Sequence, residues 1–139
     1  MRSAILNLMV NALEAQPRGG RLEIRSELTQ APELRLPLVA LHFKDEGEGV
    51  PPEVRDRIFE PFYTTKPGGS GIGLAMAAQA VRDNGGELTL EPSLLSESGA
   101  EFVICFPLPS IPGTVSAEPE EAVAAMPAGP ERWSGRPNR

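Results

Sequence analysis

Three polar side chains near the start of the chain could hold a metal ion against a phosphate group. Asn7, Asn11 and Glu14 are spaced by four and three residues, so they share one face of a helix. The amide oxygen of asparagine is a hard ligand, which suits a Mg²⁺ ion that keeps several waters and bridges nucleotide phosphates. Two hydrogen-bonded core asparagines would give the same spacing, so the stripe alone leaves both interpretations open.

A second candidate for ligand binding is the aspartate that ends an apolar alternation. Asp45 continues the inward face of the strand pattern over residues 36–44. A carboxylate directed into a core needs hydrogen-bond donors, and the exocyclic amine of adenine is a donor of this kind. Gly47 and Gly49 allow the close backbone approach that the floor of a small-molecule pocket requires. A solvated aspartate at a strand-to-turn junction would also fit this pattern.

A glycine-rich loop that leads into a helix is the third candidate. Free N–H groups and the positive end of the helix dipole favour phosphate at such a helix start, and Ser70 is expected to cap it. The dinucleotide fingerprint would need a third glycine where Met76 stands. The P-loop would need Gly-Lys-Ser/Thr, which the sequence lacks. The glycines of this loop are Gly68, Gly69, Gly71 and Gly73.

The segment before these glycines is predicted to be a mobile lid over residues 50–70. Thr64, Thr65 and Lys66 in this lid could contact phosphates once the lid closes. Phe59 and Phe62 are expected to anchor the lid to the core.

The elements that must position these groups follow from the hydrophobic patterns and from the Pro and Gly stops. The predicted order is a helix at 2–15, strands at 21–28 and 36–44, a short helix at 51–60, a helix at 71–84, and strands at 87–91 and 101–107. This order predicts a two-layer α/β sandwich, with a mixed or antiparallel sheet and helices on one face. The first helix is apolar almost all round and is therefore expected to be buried.

Composition narrows the classes of function. A chain of 139 residues allows one small domain, and the net charge of −6 argues against a nucleic-acid-binding surface. No apolar run approaches the roughly 20 residues of a spanning helix, so a cytoplasmic protein without membrane contact is expected. The Pro/Ala/Glu-rich residues 110–139 are predicted to be a disordered tail, which leaves 1–109 as the domain. The single cysteine, Cys105, excludes an internal disulfide and is expected to be inert core.

The order of the motifs resembles the ATP-binding catalytic domain of sensor histidine kinases. This domain belongs to the superfamily of the gyrase, heat-shock chaperone and MutL ATPases, and the wording here is most similar to nitrogen-regulator-like, PAS-coupled kinases. The resemblance implies Mg-ATP binding and transfer of the γ-phosphoryl group to a histidine on a separate dimerisation module, with a response regulator as indirect partner. The stretches NLMVNALEA, DEGEGVP, FEPFYTTK and GGSGIGLA resemble its N, G1, F and G2 boxes, and the resemblance covers residues 2–109.

The resemblance implies a role for each matching residue. Asn11 matches the asparagine that ligates Mg²⁺, and Asp45 matches the aspartate that receives the adenine amine. Hydrolytic branches place a water-activating glutamate at the position of Asn7, whose amide cannot take a proton, so phosphoryl transfer is implied instead. No residue is assigned as catalytic, although Lys66 is expected to contact a phosphate. The other implied nucleotide contacts are Gly47, Gly49, Thr64, Thr65, Gly69, Ser70, Gly71, Ile72, Gly73 and Leu74.

Three departures from the family pattern affect the interpretation. The first helix starts almost at Met1, so the fold is expected to lack its first strands. Residues 99–102 read Gly-Ala-Glu-Phe where the family usually has Gly-Thr-x-Phe, and the missing hydroxyl is expected to weaken adenine contacts. The only histidine, His42, alternates outward from the strand's apolar face and is predicted to be an ordinary surface residue. With no phosphoacceptor, the chain alone is expected to be inactive.

Two alternatives to a catalytic fragment remain open. One is a non-catalytic nucleotide-binding or interaction module, or a degraded remnant of such a kinase. The more distant one is a serine-directed anti-sigma kinase, although these typically carry the glutamate that Asn7 replaces.

Overall fold

The chain forms a four-stranded antiparallel sheet with two helices packed on one face, as seen in a computed structural model that describes residues 1–31, 36–91 and 99–108. The strand order is β1-β2-β4-β3. The elements are α1 (Arg2–Glu14), β1 (Leu22–Ala31), β2 (Leu36–Asp45), a 3₁₀ turn (Pro52–Val54), α2 (Gly73–Asp83), β3 (Glu87–Glu91) and β4 (Glu101–Pro107). This is the predicted two-layer α/β sandwich in its antiparallel form.

Element boundaries differ from the predictions mainly around the second helix. The short helix expected over 51–60 is only a 3₁₀ turn, and α2 starts at Gly73 rather than near residue 71. The last two strands form the predicted hairpin, in which Leu88 faces Ile104. The predicted tail over 110–139 lies outside the described residues.

Small side chains join the two helices to the sheet. The residues that α1 and α2 bury are mostly alanines, which let helix backbones approach closely. Phe43 and Ile104 meet them from the sheet and complete the hydrophobic core. The buried residues of the two helices are Ala4, Leu8 and Ala12 on α1 and Ala77, Ala78 and Val81 on α2.

The expectation that α1 is buried almost all round is wrong. Leu6 and Val10 are exposed, and Leu13 is 64% exposed. Only one side of the helix meets α2 and the sheet, so the apolar residues of the other side face outward. The apolar composition of a helix therefore does not reveal how many of its sides are covered.

The two faces of the sheet differ in chemistry. The register pairs Phe43 with Ile24 and with Phe102, which places all three on the helix side, as the alternation predicts. The helices cover the start of β1 at Leu22, but Leu28 further along the same side is 77% exposed. Asp45 lies on the helix side as well, and it is buried.

The opposite face corrects the prediction for His42, which is 3% exposed rather than on the surface. The outward direction read from the alternation is right, but side chains from the neighbouring strands cover the ring. Its Nδ1 lies 2.8 Å from Glu101 Oε1, and its Nε2 lies 3.2 Å from Glu27 Oε1. Arg25 Nη2 is 3.0 Å from Nδ1 and 3.1 Å from Glu101 Oε1. A protonated Nδ1 can only donate, so in that tautomer Arg25 bonds Glu101 instead.

Cys105 on this same face is buried, as expected of an inert core residue. Burial is the main cause that raises the pKa of its thiol to about 12, and the nearby charge of Glu87 adds to it. The thiol therefore stays protonated at neutral pH. Across the described ranges, neither helix has the length and apolar character needed to cross a membrane.

Candidate functional site

A cleft of about 320 Å³ lies between α1, the end of β2, the lid and the start of α2. Asn11, Asp45 and Gly71, which come from three separate motifs, all line it. Of the residues expected to contact a nucleotide, only Gly47 and Ile72 are not part of its wall. Those that line it are Asn7, Asn11, Asp45, Gly49, Thr64, Thr65, Lys66, Gly69, Ser70, Gly71, Gly73 and Leu74.

Asp45 is held in a fixed orientation at the inner end of the cleft. It is 2% exposed, and its Oδ1 accepts hydrogen bonds from the backbone N–H groups of Gly47 (2.8 Å) and Ala100 (3.2 Å). Both of these hydrogen bonds end on the same oxygen. Because the side chain lines the cleft, its second oxygen, Oδ2, is placed to accept a hydrogen bond from a ligand there.

Gly47 supports this carboxylate from behind, and Gly49 shapes the wall beside it. Gly49 has a φ of 75°, and a side chain there would stand 2.7 Å from the carbonyl oxygen of Gly99. Only glycine fits both the conformation and the close approach. The 45–50 turn therefore depends on the glycine that the sequence supplies.

The polar stripe of α1 faces the cleft, and each asparagine there has a different partner. Asn7 Nδ2 donates to the carbonyl oxygen of Gly73 (3.1 Å) and so ties α1 to the start of α2. Asn11 Oδ1 accepts a hydrogen bond from Lys66 Nζ at 2.6 Å. The same ammonium lies 2.7 Å from Glu14 Oε2.

The position of the Lys66 ammonium indicates that the cleft side of α1 can bind a cation. It is a positive charge seated directly on the amide oxygen expected to bind Mg²⁺, with Glu14 beside it. Mg²⁺ usually takes one or two protein oxygens and fills its other positions with water and phosphate oxygens. The donor set of Asn11 fits that pattern. Clusters of three or more His, Cys, Asp or Glu side chains able to hold a metal are absent from the described residues.

The lid is closed at its base and anchored by one of its two phenylalanines. The N–H of Phe62 donates to the carbonyl oxygen of Gly71 (2.9 Å). Phe59 packs edge-to-face on Phe102, with ring centroids 6.3 Å apart, which confirms its anchoring role. The same expectation for Phe62 is wrong, because its side chain is 77% exposed and its φ is 67°. That conformation is rare for a bulky residue and directs the ring away from the core.

Gly71 explains why the base of the lid closes so tightly. Its φ is 66°, and a side chain there would collide with the backbone of Phe62. The start of α2 follows directly, with Ile72 in the N-cap position and no side-chain cap. The expectation that Ser70 caps α2 is wrong, because the helix starts too late: the Ser70 hydroxyl accepts from the N–H of Ile72 at 3.4 Å.

The first turn of α2 is consequently free to meet an anion. Gly73 and Leu74 line the cleft, and no side chain caps the first N–H groups of the helix. Uncapped N–H groups at a helix start, together with the helix dipole, form a favourable environment for phosphate.

Motif reasoning missed the apolar part of the wall. Val50, Ile58, Tyr63 and Phe102 line the cleft between the polar groups. They stand outside the glycine and asparagine patterns, and only the fold brings them together. Ala100, noted in the sequence for its missing hydroxyl, contributes a backbone N–H to Asp45 that a side-chain motif does not predict.

Comparison with known proteins gives one consistent result. Residues 1–110 match the family model described as histidine kinase-, DNA gyrase B-, and HSP90-like ATPase. Sporulation kinase C of Bacillus subtilis (strain 168) is 32% identical over 110 residues, which are 79% of this chain and 24% of that protein. The chain thus spans about a quarter of the length of this curated relative.

Solved structures agree with the sequence matches. A mycobacterial sensor histidine kinase, MprB, superposes with a TM-score of 0.61 at 33% identity, and the match covers 76% of this chain and 68% of that one. Full-length ShkA in complex with AMPPNP gives a TM-score of 0.61 at 30% identity, and covers 75% and 20% respectively.

Proposed function

The chain belongs to the histidine kinase-, DNA gyrase B-, and HSP90-like ATPase family, and from this premise we propose that it binds Mg-ATP and donates the γ-phosphoryl group to a histidine on a separate dimerisation module. A response regulator is then the indirect partner. The observation that carries the proposal is the single cleft shared by Asn11, Asp45 and the start of α2. The complex of the related ShkA with AMPPNP, an ATP analogue, supports the choice of ligand.

Adenine recognition is assigned to Asp45. The carboxylate is fixed through Oδ1 by two backbone donors, so Oδ2 can accept the exocyclic amine without reorientation. Guanine presents a carbonyl oxygen where adenine carries that amine, and it would meet the carboxylate with no donor. The apolar wall, including Val50 and Ile58, would cover the purine ring.

The phosphate end is assigned to α1, the lid and α2. Asn11 would hold Mg²⁺ through its amide oxygen, and the bound ion would reduce the negative charge on the phosphate oxygens. The first N–H groups of α2, beside Gly73 and Leu74, would bind those oxygens directly. Lys66, Thr64 and Thr65 lie on the same side of the cleft and would close over them.

Phosphoryl transfer is favoured over hydrolysis because Asn7 stands at the position on α1 where the hydrolytic branches carry their water-activating glutamate. The amide of Asn7 is neutral, and its Nδ2 is bonded to the carbonyl oxygen of Gly73. In the transfer, an imidazole nitrogen of the acceptor gives its electron pair to the γ-phosphorus. The bond from the γ-phosphorus to the bridging oxygen breaks, and ADP leaves with the electron pair of that broken bond. The acceptor ring loses its other N–H proton to a neighbouring base or to water.

The acceptor cannot be His42. This side chain is buried on the sheet face opposite the helices, while the cleft opens on the helix side. It is the only histidine of the sequence, so the phosphoryl group must pass to another module. This chain alone is accordingly proposed not to label itself.

Isothermal titration calorimetry of the full chain tests nucleotide binding. We expect ATP to bind more tightly than GTP, and to bind more tightly with Mg²⁺ than with EDTA. Asn11→Ala should reduce the ratio of the two ATP dissociation constants toward one, because the metal loses its protein ligand. Equal affinity for ATP and GTP, or a Mg²⁺ dependence that survives Asn11→Ala, would remove the assigned roles.

A mixing experiment then tests the transfer step. The chain, γ-labelled ATP and a histidine-bearing dimerisation module of a related sensor kinase are incubated together. We expect acid-labile label on the module and none on this chain. Tight Mg-ATP binding without any transfer would instead favour a non-catalytic nucleotide-binding module.

A further inference from the structure

The lid carries its own cation to the metal-binding face of α1. Resting on the function proposed above, we propose that Lys66 is a latch that holds Asn11 and Glu14 when no nucleotide is bound, and that it gives up Asn11 when a metal takes the amide oxygen. The latch would thereby couple the position of the lid to occupancy of the cleft.

Three oxygen atoms from one turn of α1 surround the Lys66 ammonium. Asn11 Oδ1 lies 2.6 Å away, Glu14 Oε2 lies 2.7 Å away, and the carbonyl oxygen of Asn11 lies 3.5 Å away. The lysine side chain is only 37% exposed despite its place on a glycine-rich loop. Its backbone N–H also bonds Thr64 Oγ1 at 3.1 Å, which holds the loop in the turn that presents the ammonium.

The ammonium and a metal cannot use Asn11 Oδ1 together. A Mg²⁺ ion sits about 2.1 Å from its oxygen ligands, so both cations on one oxygen would be within about 5 Å of each other. Like charges at that separation repel, and the ammonium already fills the space in front of the oxygen. Lys66 must therefore leave Asn11 before the amide oxygen can serve a metal.

Glu14 decides how strongly the latch holds. Its carboxylate is the only negative charge within contact distance of Lys66 among the described residues, and it is more than half exposed. Exposed ion pairs are weak, so the latch can be opened by a ligand rather than locking the cleft shut. Once Lys66 is released, its ammonium is already beside the residues expected to hold phosphate, Thr64 and Thr65.

Hydrogen exchange of the nucleotide-free chain measures the latch directly. The reporters are the amide protons of Lys66 and Gly69, which bond within the lid. We expect Glu14→Gln and Lys66→Met each to speed their exchange about two- to fivefold, the range for loss of an exposed ion pair. Because both substitutions open the same contact, the double variant should exchange no faster than the faster single variant.

The matched control is Arg21→Gln. It breaks another exposed ion pair, between Arg21 and Glu46 at 3.2 Å, that contacts neither α1 nor the lid. Lid exchange should stay at the wild-type rate in this variant. Unchanged lid exchange in Glu14→Gln, or additive effects in the double variant, would overturn the latch.

The Mg²⁺ requirement for nucleotide binding separates a latch partner from a metal ligand. If Glu14 holds Lys66, Glu14→Gln should lower the Mg²⁺ concentration for half-maximal ATP binding about two- to fivefold, because less competition remains at Asn11. If Glu14 binds the metal itself, that concentration should rise, which would contradict the latch. A wild-type chain that binds no ATP would contradict the proposed function, whereas normal ATP binding with unchanged lid exchange would contradict the latch alone.

Discussion

Strand β2 carries two buried polar side chains three residues apart, and they lie in different environments. Asp45 lies on the helix side at the end of the cleft, and His42 lies on the opposite face of the sheet. Both are at most 3% exposed, so burial alone does not separate them. They differ in what surrounds them.

Asp45 borders the cleft, whereas side chains from the neighbouring strands enclose His42. Asp45 receives both of its hydrogen bonds on one oxygen, and the side chain lines the cleft. His42 is enclosed by Arg25, Glu27 and Glu101 from the two neighbouring strands. Nε2 of His42 also lacks a hydrogen-bond partner among the described residues, but it is enclosed by the neighbouring strands and does not line the cleft. A buried titratable side chain therefore indicates a binding site when its unused bonding capacity lies beside a cavity, and indicates structural support when neighbouring side chains enclose it.

The largest effect that this comparison predicts is expected at Asp45. Asp45→Ala should cost about 2–3 kcal/mol of ATP affinity, as for the loss of a hydrogen bond to a charged group. Calorimetry of ATP binding measures it, with His42→Leu as the control that should bind ATP as the wild type does. An Asp45→Ala variant with unchanged affinity would mean that the carboxylate does not contact the ligand.

A smaller effect of a different kind is expected at His42. His42→Leu should lower the free energy of unfolding by about 1–2 kcal/mol, because Glu101 loses a hydrogen-bond donor while Arg25 still reaches it. Urea denaturation measures this loss. A loss of ATP affinity comparable to that of Asp45→Ala would refute the division between the two faces.

The smallest expected effect concerns the sheet face that carries His42 and Glu101. It is a dependence of the free energy of unfolding on pH. The hydrogen bond from His42 is the main cause that lowers the pKa of Glu101 below its ordinary 4.5. A depressed carboxyl pKa stabilises the fold above about pH 4.5, and this contribution is lost as the pH falls through the lowered value. The stability advantage of the wild type over Glu101→Gln should therefore shrink below pH 4.5, as urea denaturation at stepwise lower pH would measure.

Glu91 on the same face acts in the opposite direction. Burial is the main cause that raises its pKa, and the negative charge of Glu101 adds to the rise. Its contribution to stability is therefore present at low pH and is lost as the pH rises through the raised value. If the stability advantage of the wild type over Glu101→Gln grew as the pH fell, Glu91 rather than the His42–Glu101 pair would dominate the pH dependence of stability.

Sequence reasoning succeeded where a local pattern determines direction. The alternation along β2 predicts that Asp45 points to the helix side, and the order of motifs predicts that Asn11 and Gly71 share its cleft. It failed for the burial of His42, because alternation gives the side of a strand but not what covers it. The covering residues, Arg25 and Glu101, come from strands far apart in the chain.

Two other misses have the same origin. Ser70 has the right chemistry for a cap, but its role depends on where α2 starts, and the tight contact of Gly71 with Phe62 delays that start to Gly73. The exposed side of α1, with Leu13 among its residues, depends on how many neighbours pack around the helix. Neither the start of α2 nor the number of neighbours around α1 can be read from the residues of the segment itself.

The hydrogen bond between the N–H of Phe62 and the carbonyl oxygen of Gly71 makes residues 63–70 a loop with fixed ends. For such a loop, the entropy of closure changes slowly with length, by about 0.6 kcal/mol for each doubling. Residues inserted or deleted between those ends would leave the sheet and both helices nearly as stable as before. The distance that the loop spans across the cleft would change, so the span of the lid can be engineered or can diverge independently of the fold.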